Sequence, residues 1–259
     1  MFFCLQKNLM NYNYSYRICV HITKDINERM HLKMRINKLL SNFGICSRKE
    51  SNRIIEEGRI VVNGDICIKG QWVEESDSIA LDGKLIKPKE KVYLILNKPV
   101  GITCTASKDV NNNIMDFLNY PEYIFPVGRL DKESQGLILM TNDGDLANKI
   151  LNSENEHEKE YIVTLNKAFD EEFIKRMSQG VEILKVKTRP CKVSRLNENT
   201  FKIILTQGLN KQIRRMSKAL GYNVIKLNRI RIMNLKIDEL EVGKWRFLTE
   251  EEINKLKGC

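Results

Sequence analysis

The middle of the chain contains the segment that most restricts how it can fold. A charged stretch, Gly128–Gly136, is followed by the apolar run Leu137–Met140 and by the turn Thr141–Gly144. A short apolar run between turn signals indicates a buried strand. Asp131 lies at the entrance to this strand between two cations, and a carboxylate beside an apolar wall stays ionised only when a positive charge offsets its lost hydration. The same pattern is also typical of a solvated loop, so this segment alone does not indicate an enzyme.

Strand and helix patterns are mixed along the second half of the chain without a regular βαβ repeat. The order favours an α+β fold with a mixed, mostly antiparallel sheet and flanking helices. The apolar patterns predict a buried strand over Val92–Gly101 that closes in a Pro/Gly turn, further strands at Leu137–Thr141, Tyr161–Leu165 and Phe201–Thr206, and helices at Asp145–Leu151 and Asp170–Ser178.

A compact module of two short helices and a small sheet is predicted before that region. The first helix ends at Gly44, and Ser47 with Glu50 forms a capping-box pattern for a second helix that ends near Gly58. Asn63-Gly64 then predicts a two-residue hairpin turn.

The basic residues of this module fall on its helices, namely Arg35, Lys38, Arg48, Lys49 and Arg53. Such a surface suits docking on structured RNA, although solvated Lys and Arg residues are common on any helix. The segments Arg35–Glu50 and Val62–Gly64 resemble an S4 RNA-binding domain. We therefore expect an S4-like RNA-binding domain over 34–86, after a poorly ordered extension over 1–33.

A charged stretch with one proline predicts a linker at 87–91. After it we expect a second domain over 92–250 and a C-terminal segment over 251–259. The 259 residues are 42% hydrophobic and carry a formal net charge of +10, which favours a polyanionic partner. No apolar run approaches the roughly 20 residues needed to span a bilayer, so no membrane association is expected. Scattered cysteines indicate reduced thiols in the cytoplasm, and the widely spaced histidines predict no metal site.

The positive charge is concentrated in Lys185–Arg231, which holds thirteen Lys or Arg residues against one acid, Glu198. If Asn210 caps a helix that ends at Gly221, an apolar stripe faces the core and four cations gather on another face. That face would bind a phosphate or a carboxylate such as Asp131. Its cations are Lys211, Arg214, Arg215 and Lys218.

Tyr161 opens a predicted strand and shares a face with Val163 and Leu165. Most tyrosines in such a position pack against the core, but one beside a basic cleft can stack on an extruded base. The sequence by itself favours packing.

Three blocks of the second domain together resemble the ribosomal pseudouridine synthases whose catalytic domain follows an S4 domain. These blocks are Gly128–Leu137, Glu158–Tyr161 and Gln207–Met216. The resemblance spans about 34–250, and three shorter pieces are most similar to the subgroup of the large-subunit (23S) rRNA synthase F. Those pieces are Ser134–Gly136, His157–Tyr161 and Arg229–Asn234.

The resemblance implies isomerisation of a uridine to pseudouridine in 23S rRNA, with no cofactor. A monomer is expected, because the enzyme would use its own two domains to grip one RNA. Asp131 would be the catalytic carboxylate, acting either as a nucleophile or as a base. Arg214 would pair with Asp131, Arg129 would fill the space of the flipped nucleotide or hold its phosphate, and Tyr161 would stack on the uracil. Lys211 and Arg215 would bind RNA. A tRNA as a further substrate stays open, and the alternative is a non-catalytic RNA-binding or ribosome-assembly factor.

Overall fold

A computed structural model describes residues 33–106, 110–152, 154 and 156–258. The extension predicted over 1–33 lies outside the described residues, apart from Lys33. The chain divides into two compact units. The first contains the described residues up to Leu40 and Ser47–Lys87, and the second contains Ser41–Cys46, which include the end of the first helix, and the chain from Pro88 onward. The predicted boundaries at 86, 91 and 250 stay a prediction.

The first unit is built from the turn and cap signals in its sequence. The helices are α1 (Ile36–Asn42) and α2 (Arg48–Glu56), and the strands are β1 (Met34–Arg35), β2 (Ile60–Val62), β3 (Asp65–Ile66), β4 (Trp72–Val73), β5 (Ile79–Leu81) and β6 (Lys84–Leu85). β1 pairs with β4, and the other strands form a sheet in the order β3-β2-β5-β6. The Ser47 side chain caps α2 by accepting a hydrogen bond from the Glu50 amide at 3.1 Å. Asn63 and Gly64 have φ of 53° and 96°, as the predicted turn requires.

The second unit contains a large sheet with helices on its faces. Its helices are α3 (Ile114–Leu118), α4 (Gly144–Leu151), α5 (Glu171–Ser178), α6 (Gln212–Ala219) and α7 (Glu250–Lys257). Its strands are β7 (Tyr93–Lys98), β8 (Phe125–Val127), β9 (Gln135–Thr141), β10 (Lys159–Leu165), β11 (Glu182–Ile183), β12 (Val186–Lys187), β13 (Lys192–Arg195), β14 (Thr200–Leu205), β15 (Val224–Ile232), β16 (Leu235–Lys236) and β17 (Trp245–Phe247).

The main sheet has the order β13-β14-β10-β15-β9-β7-β17, with β8 on β9 and β16 on β15. Among the strands that the structure describes, β9 and β15 form the one parallel pairing of this sheet. The predicted α+β fold with a mixed, mostly antiparallel sheet is therefore confirmed. The predicted strands and helices of the second domain are all present, with ends shifted by at most three residues.

β7 and β9 form the centre of this unit because both of their faces are buried. Ile95, Leu137 and Leu139 pack on one face with α4 and α7, and Leu94 and Ile138 pack on the other with α3. A strand that is covered on both faces needs a continuous apolar run, as Leu137–Met140 supplies.

Several elements of the second unit were not predicted from the sequence, β15 and α7 among them. The central strand β15 was not predicted, because Lys226, Arg229 and Arg231 interrupt its apolar pattern. α7 occupies the predicted C-terminal segment and begins with a complete capping box between Thr249 and Glu252.

Candidate active site

The loop that carries Asp131 joins β8 to β9 and is anchored on both sides of that residue. Leu130 is buried in the core, and its amide donates a hydrogen bond to Cys104 Sγ at 3.4 Å. The Asp131 carbonyl accepts a hydrogen bond from the Ser134 amide at 3.0 Å. Asp131 itself is half-buried. The backbone is thus held in place while the carboxylate keeps access to solvent.

Gly136 allows this loop to enter the sheet. It pairs with Arg229 in the parallel contact between β9 and β15, and its φ is +117°. A Cβ atom on this residue would lie 2.3 Å from the Arg229 carbonyl oxygen and 2.5 Å from the Arg229 nitrogen. Side chains cannot be accommodated at such distances, so a glycine is required five positions after Asp131.

Arg214 on α6 holds the backbone of the same loop. One of its Nη atoms, Nη2, donates to the Glu133 carbonyl at 3.1 Å and to Ser134 Oγ at 3.4 Å, and Nη1 donates to the Val224 carbonyl at 3.1 Å. Within the described part of the chain, no ion pair of 4.0 Å or less joins Arg214 to Asp131. Arg214 therefore fixes the loop next to the carboxylate, and its predicted pairing with Asp131 stays a prediction.

Two buried cations near this loop were not given a role from the sequence. Lys98 is fully buried, and its amine donates to the carbonyls of Pro99 at 2.8 Å and Ile102 at 2.9 Å. Burial lowers the pKa of Lys98, and the nearby Asp131 carboxylate acts in the opposite direction. Lys98 is also paired with Gly136 across β7 and β9, which places its backbone beside the end of the Asp131 loop.

The second of these cations is Arg229 on β15. It is 2% exposed, and its guanidinium donates to the Leu137 carbonyl at 2.7 Å and to the Arg129 carbonyl at 3.5 Å. Burial, followed by the charge of Arg229, lowers the pKa of Lys159. The sequence signal for Arg229 was its place in Arg229–Asn234, one of the pieces that carry the family resemblance, but periodicity did not predict that Lys98 and Arg229 are buried.

Tyr161 is placed beside this centre by strand register. It is paired with Arg229 across β10 and β15, and Arg229 is in turn paired with Gly136 across β15 and β9. Two strand spacings, about 10 Å, therefore separate the Tyr161 backbone from the start of β9. The ring is half-buried and packs against two core clusters. Packing, which the sequence favoured, is confirmed, and stacking on a base stays a prediction.

Comparison with known proteins identifies the family to which this arrangement belongs. A family model described as RNA pseudouridylate synthase matches residues 92–219, and an S4 domain model matches residues 34–79. The dual-specificity RNA pseudouridine synthase RluF of Escherichia coli K12 is 49% identical over 223 residues, which cover 85% of this chain and 77% of that protein. The chain belongs to the RNA pseudouridylate synthase family.

Two further comparisons agree with this RNA pseudouridine synthase assignment. The ribosomal large subunit pseudouridine synthase B of Bacillus subtilis is 33% identical, over 86% of this chain and 95% of that protein. A crystal structure of a pseudouridylate synthase is similar with a TM-score of 0.65 and 31% identity, and the match covers 86% of this chain and 99% of that one.

The synthase presents a basic surface along α6. Lys211, Arg215 and Lys218 are exposed, and Lys211 Nζ lies 3.8 Å from Glu133 Oε2 on the loop that carries Asp131. The prediction that Asn210 caps α6 was wrong. The cap residue is Lys211 in a left-handed conformation, and the Asn210 side chain instead accepts a hydrogen bond from Arg215 at 3.1 Å. Arg129, before Asp131, is exposed.

The cations of the S4 domain differ in how far they are engaged within the protein. Arg53 is paired with Glu50 and Glu57. Arg35 donates to the Gly70 carbonyl and lies 4.5 Å over the Trp72 ring.

The other cations of this surface are Lys38, which is half-buried, and Arg48 and Lys49, which are exposed at the start of α2. Arg48 and Lys49 are therefore the better placed of the predicted RNA contacts on this helix.

The described residues contain no group of three His, Cys, Asp or Glu side chains that could hold a metal ion. No helix in the described ranges is long and apolar enough to cross a bilayer. Free thiols are found at Cys46, Cys67, Cys104 and Cys191.

Proposed function

We propose that this synthase isomerises a uridine in 23S rRNA to pseudouridine and that Asp131 is its catalytic carboxylate. The observation that carries the proposal is the half-buried Asp131 on a loop anchored by Leu130, Gly136 and Arg214, with the buried Lys98 nearby. The relatives support the choice of RNA, because one of them is named for the ribosomal large subunit.

The reaction requires little beyond positioning and one carboxylate. The N1–C1′ bond breaks, the uracil turns over, a C5–C1′ bond forms, and the proton on C5 is replaced by one on N1. No water is added, and there is no net oxidation or reduction. Asp131 would either add to C1′ or remove a sugar proton as the base departs, and both routes need an ionised carboxylate.

The remaining site residues would hold the flipped nucleotide. Tyr161 would stack on the uracil, a contact worth about 1 to 3 kcal/mol per base. Arg129 is exposed beside Asp131 and would occupy the space that the nucleotide leaves or bind its phosphate. Arg214 would stabilise the negative charge at Asp131 while it holds the loop.

The S4 domain would dock on a neighbouring RNA helix through Arg48 and Lys49. We further propose that the enzyme works as a monomer in the cytoplasm. The name of the Escherichia coli relative states dual specificity, and tRNA is the second substrate class to test here.

A non-catalytic RNA-binding or assembly factor is the alternative function. A carboxylate opposes the approach of phosphates, so a binding protein gains nothing from Asp131 among the cations that surround its loop.

The test is release of tritium from an in vitro transcript of 23S rRNA that carries uridine labelled at C5. Asp131→Asn is expected to abolish release and to leave RNA affinity equal or higher, because one negative charge is removed. Glu133→Gln, with the same charge change on the same loop, is the matched control and should stay active. Retained tritium release by Asp131→Asn would overturn the assignment.

A further inference from the structure

A two-stranded hairpin of the catalytic unit ends in an exposed tip of alternating apolar and cationic residues. β11 and β12 are joined by Leu184 and Lys185, whose φ values are 52° and 62°. Leucine and lysine rarely adopt this conformation, for which Asn-Gly is usual. Leu184 and Val186 are each 52% exposed, and Lys185 and Lys187 are exposed as well. The tip therefore contributes little to the core, although its backbone is held in a disfavoured conformation.

The base of the hairpin is rigid. Ile183 is buried in the same core cluster as residues of α6. The Val181 amide donates to Thr188 Oγ1, and the Thr188 amide donates to the Val181 carbonyl, both at 3.0 Å. A Cβ on Gly180 would lie 2.3 Å from the Thr188 carbonyl oxygen, which shows how closely the two segments approach. The tip therefore extends from an anchored base, and such preorganisation reduces the entropy lost on binding.

Hydrogen bonds connect this base to the basic surface of α6. The Arg189 amide donates to Gln207 Oε1 at 3.1 Å, and Gln212 Nε2 donates to the same oxygen at 3.4 Å. Lys211, which precedes Gln212, reaches Glu133 on the catalytic loop. The hairpin base, the start of α6 and the catalytic loop therefore form one continuous structure within the unit.

We propose that the hairpin over 182–187 is an RNA contact that holds the substrate beside the modified nucleotide. Lys185 and Lys187 would bind phosphates, and Leu184 would pack on an unstacked base or sugar. The partner follows from charge, because the hairpin carries Lys185 and Lys187 against one acid, Glu182, and Lys185 opens the segment 185–231 with thirteen cations and one acid, and the enzyme acts on RNA. The proposal rests on the RNA substrate but not on the role of Asp131.

The first test measures how the affinity for an unmodified 23S rRNA transcript depends on salt, by filter binding between 50 and 200 mM. Two phosphate contacts contribute about 1.4 to 1.8 to the slope of log affinity against log salt. The double variant Lys185→Gln, Lys187→Gln should therefore bind more weakly. The ratio of the affinity of the unaltered protein to that of the variant should be about 7- to 12-fold smaller at 200 mM salt than at 50 mM.

The matched control is Lys236→Gln, Lys244→Gln, which removes two exposed lysines elsewhere in the unit. If the hairpin variant and this control show the same slope of log affinity against log salt, the proposal is overturned. An acidic protein would then be the partner that the hairpin suits.

The second test replaces Leu184 with Asn, which tolerates the left-handed conformation better. The variant should unfold at an equal or higher temperature and still bind the transcript about fivefold more weakly, with an unchanged salt slope. Unchanged affinity in a normally folded variant would contradict the role of Leu184. Because both tests measure binding, they can succeed even if Asp131→Asn proves active.

Discussion

Replacing Gly136 with alanine is expected to destabilise the catalytic unit strongly, because two separate effects add at this position. A φ of +117° is unfavourable for any residue with a Cβ and costs about 1 to 3 kcal/mol. The new Cβ would also lie 2.3 Å from the Arg229 carbonyl oxygen, and forcing atoms into such a close contact costs about 1 to 3 kcal/mol more. We expect the free energy of unfolding to fall by about 4 kcal/mol, which lowers the melting temperature by about 8 to 16 °C.

The damage should also reach the active site. The parallel contact between β9 and β15 consists of Asn228 with Gln135 and Arg229 with Gly136. Separating the strands there moves the end of the Asp131 loop and the guanidinium of Arg229 together. Uridine isomerisation should therefore drop at temperatures at which the variant is still folded.

Two control variants separate the contributions in thermal and urea unfolding. Gly101 has a φ of +93°, and a Cβ on it would have no atom within 4 Å, so Gly101→Ala measures backbone strain alone. A Cβ on Gly208 would also have no atom within 4 Å, and the φ of Gly208 is not positive, so Gly208→Ala should change stability little. If Gly136→Ala destabilises no more than Gly101→Ala, the close approach of the two strands is not the reason for this glycine.

Two further predictions concern charges. Hydrogen bonds from Arg231, with its charge, hold the pKa of Glu158 below the usual 4.5, and at Glu160 burial acts to raise the pKa but is outweighed by them. This stabilisation is therefore present above about pH 4.5 and is lost as the pH falls through the folded pKa values. Arg231→Gln should cost about 2 to 4 kcal/mol at pH 7 and progressively less as the pH is lowered below 4.5, and a cost in urea unfolding that does not change with pH would refute this. Lys211→Gln with Arg215→Gln should weaken RNA binding and flatten its salt dependence, whereas an unchanged slope would mean that these cations only face solvent.

Local signals in the sequence were sufficient for much of the fold. Ser47 caps α2, Asn63-Gly64 forms the predicted turn, and the run Leu137–Met140 is the buried part of β9. Each of these depends on neighbours in sequence or on a strand that is covered on both faces. Such features can be predicted because they need little information about the rest of the chain.

Features that depend on distant pairing could not be predicted. β15 is central, yet its cations engage partners far away in sequence, such as Glu160 with Arg231 at 2.7 Å. The burial of Lys98 and Arg229 likewise depends on carbonyl groups of other segments, including Leu137. The cap of α6 lies at Lys211 because the Asn210 side chain is engaged by Arg215.

The role of Asp131 in modifying rRNA is tested most directly by mapping pseudouridines in 23S rRNA from cells that lack this protein. Returning the unaltered gene should restore the missing modification, and returning Glu133→Gln should restore it as well. Returning Asp131→Asn at equal protein level should leave the uridine unmodified. Restoration by Asp131→Asn, or an unchanged set of pseudouridines in cells that lack the protein, would contradict the account.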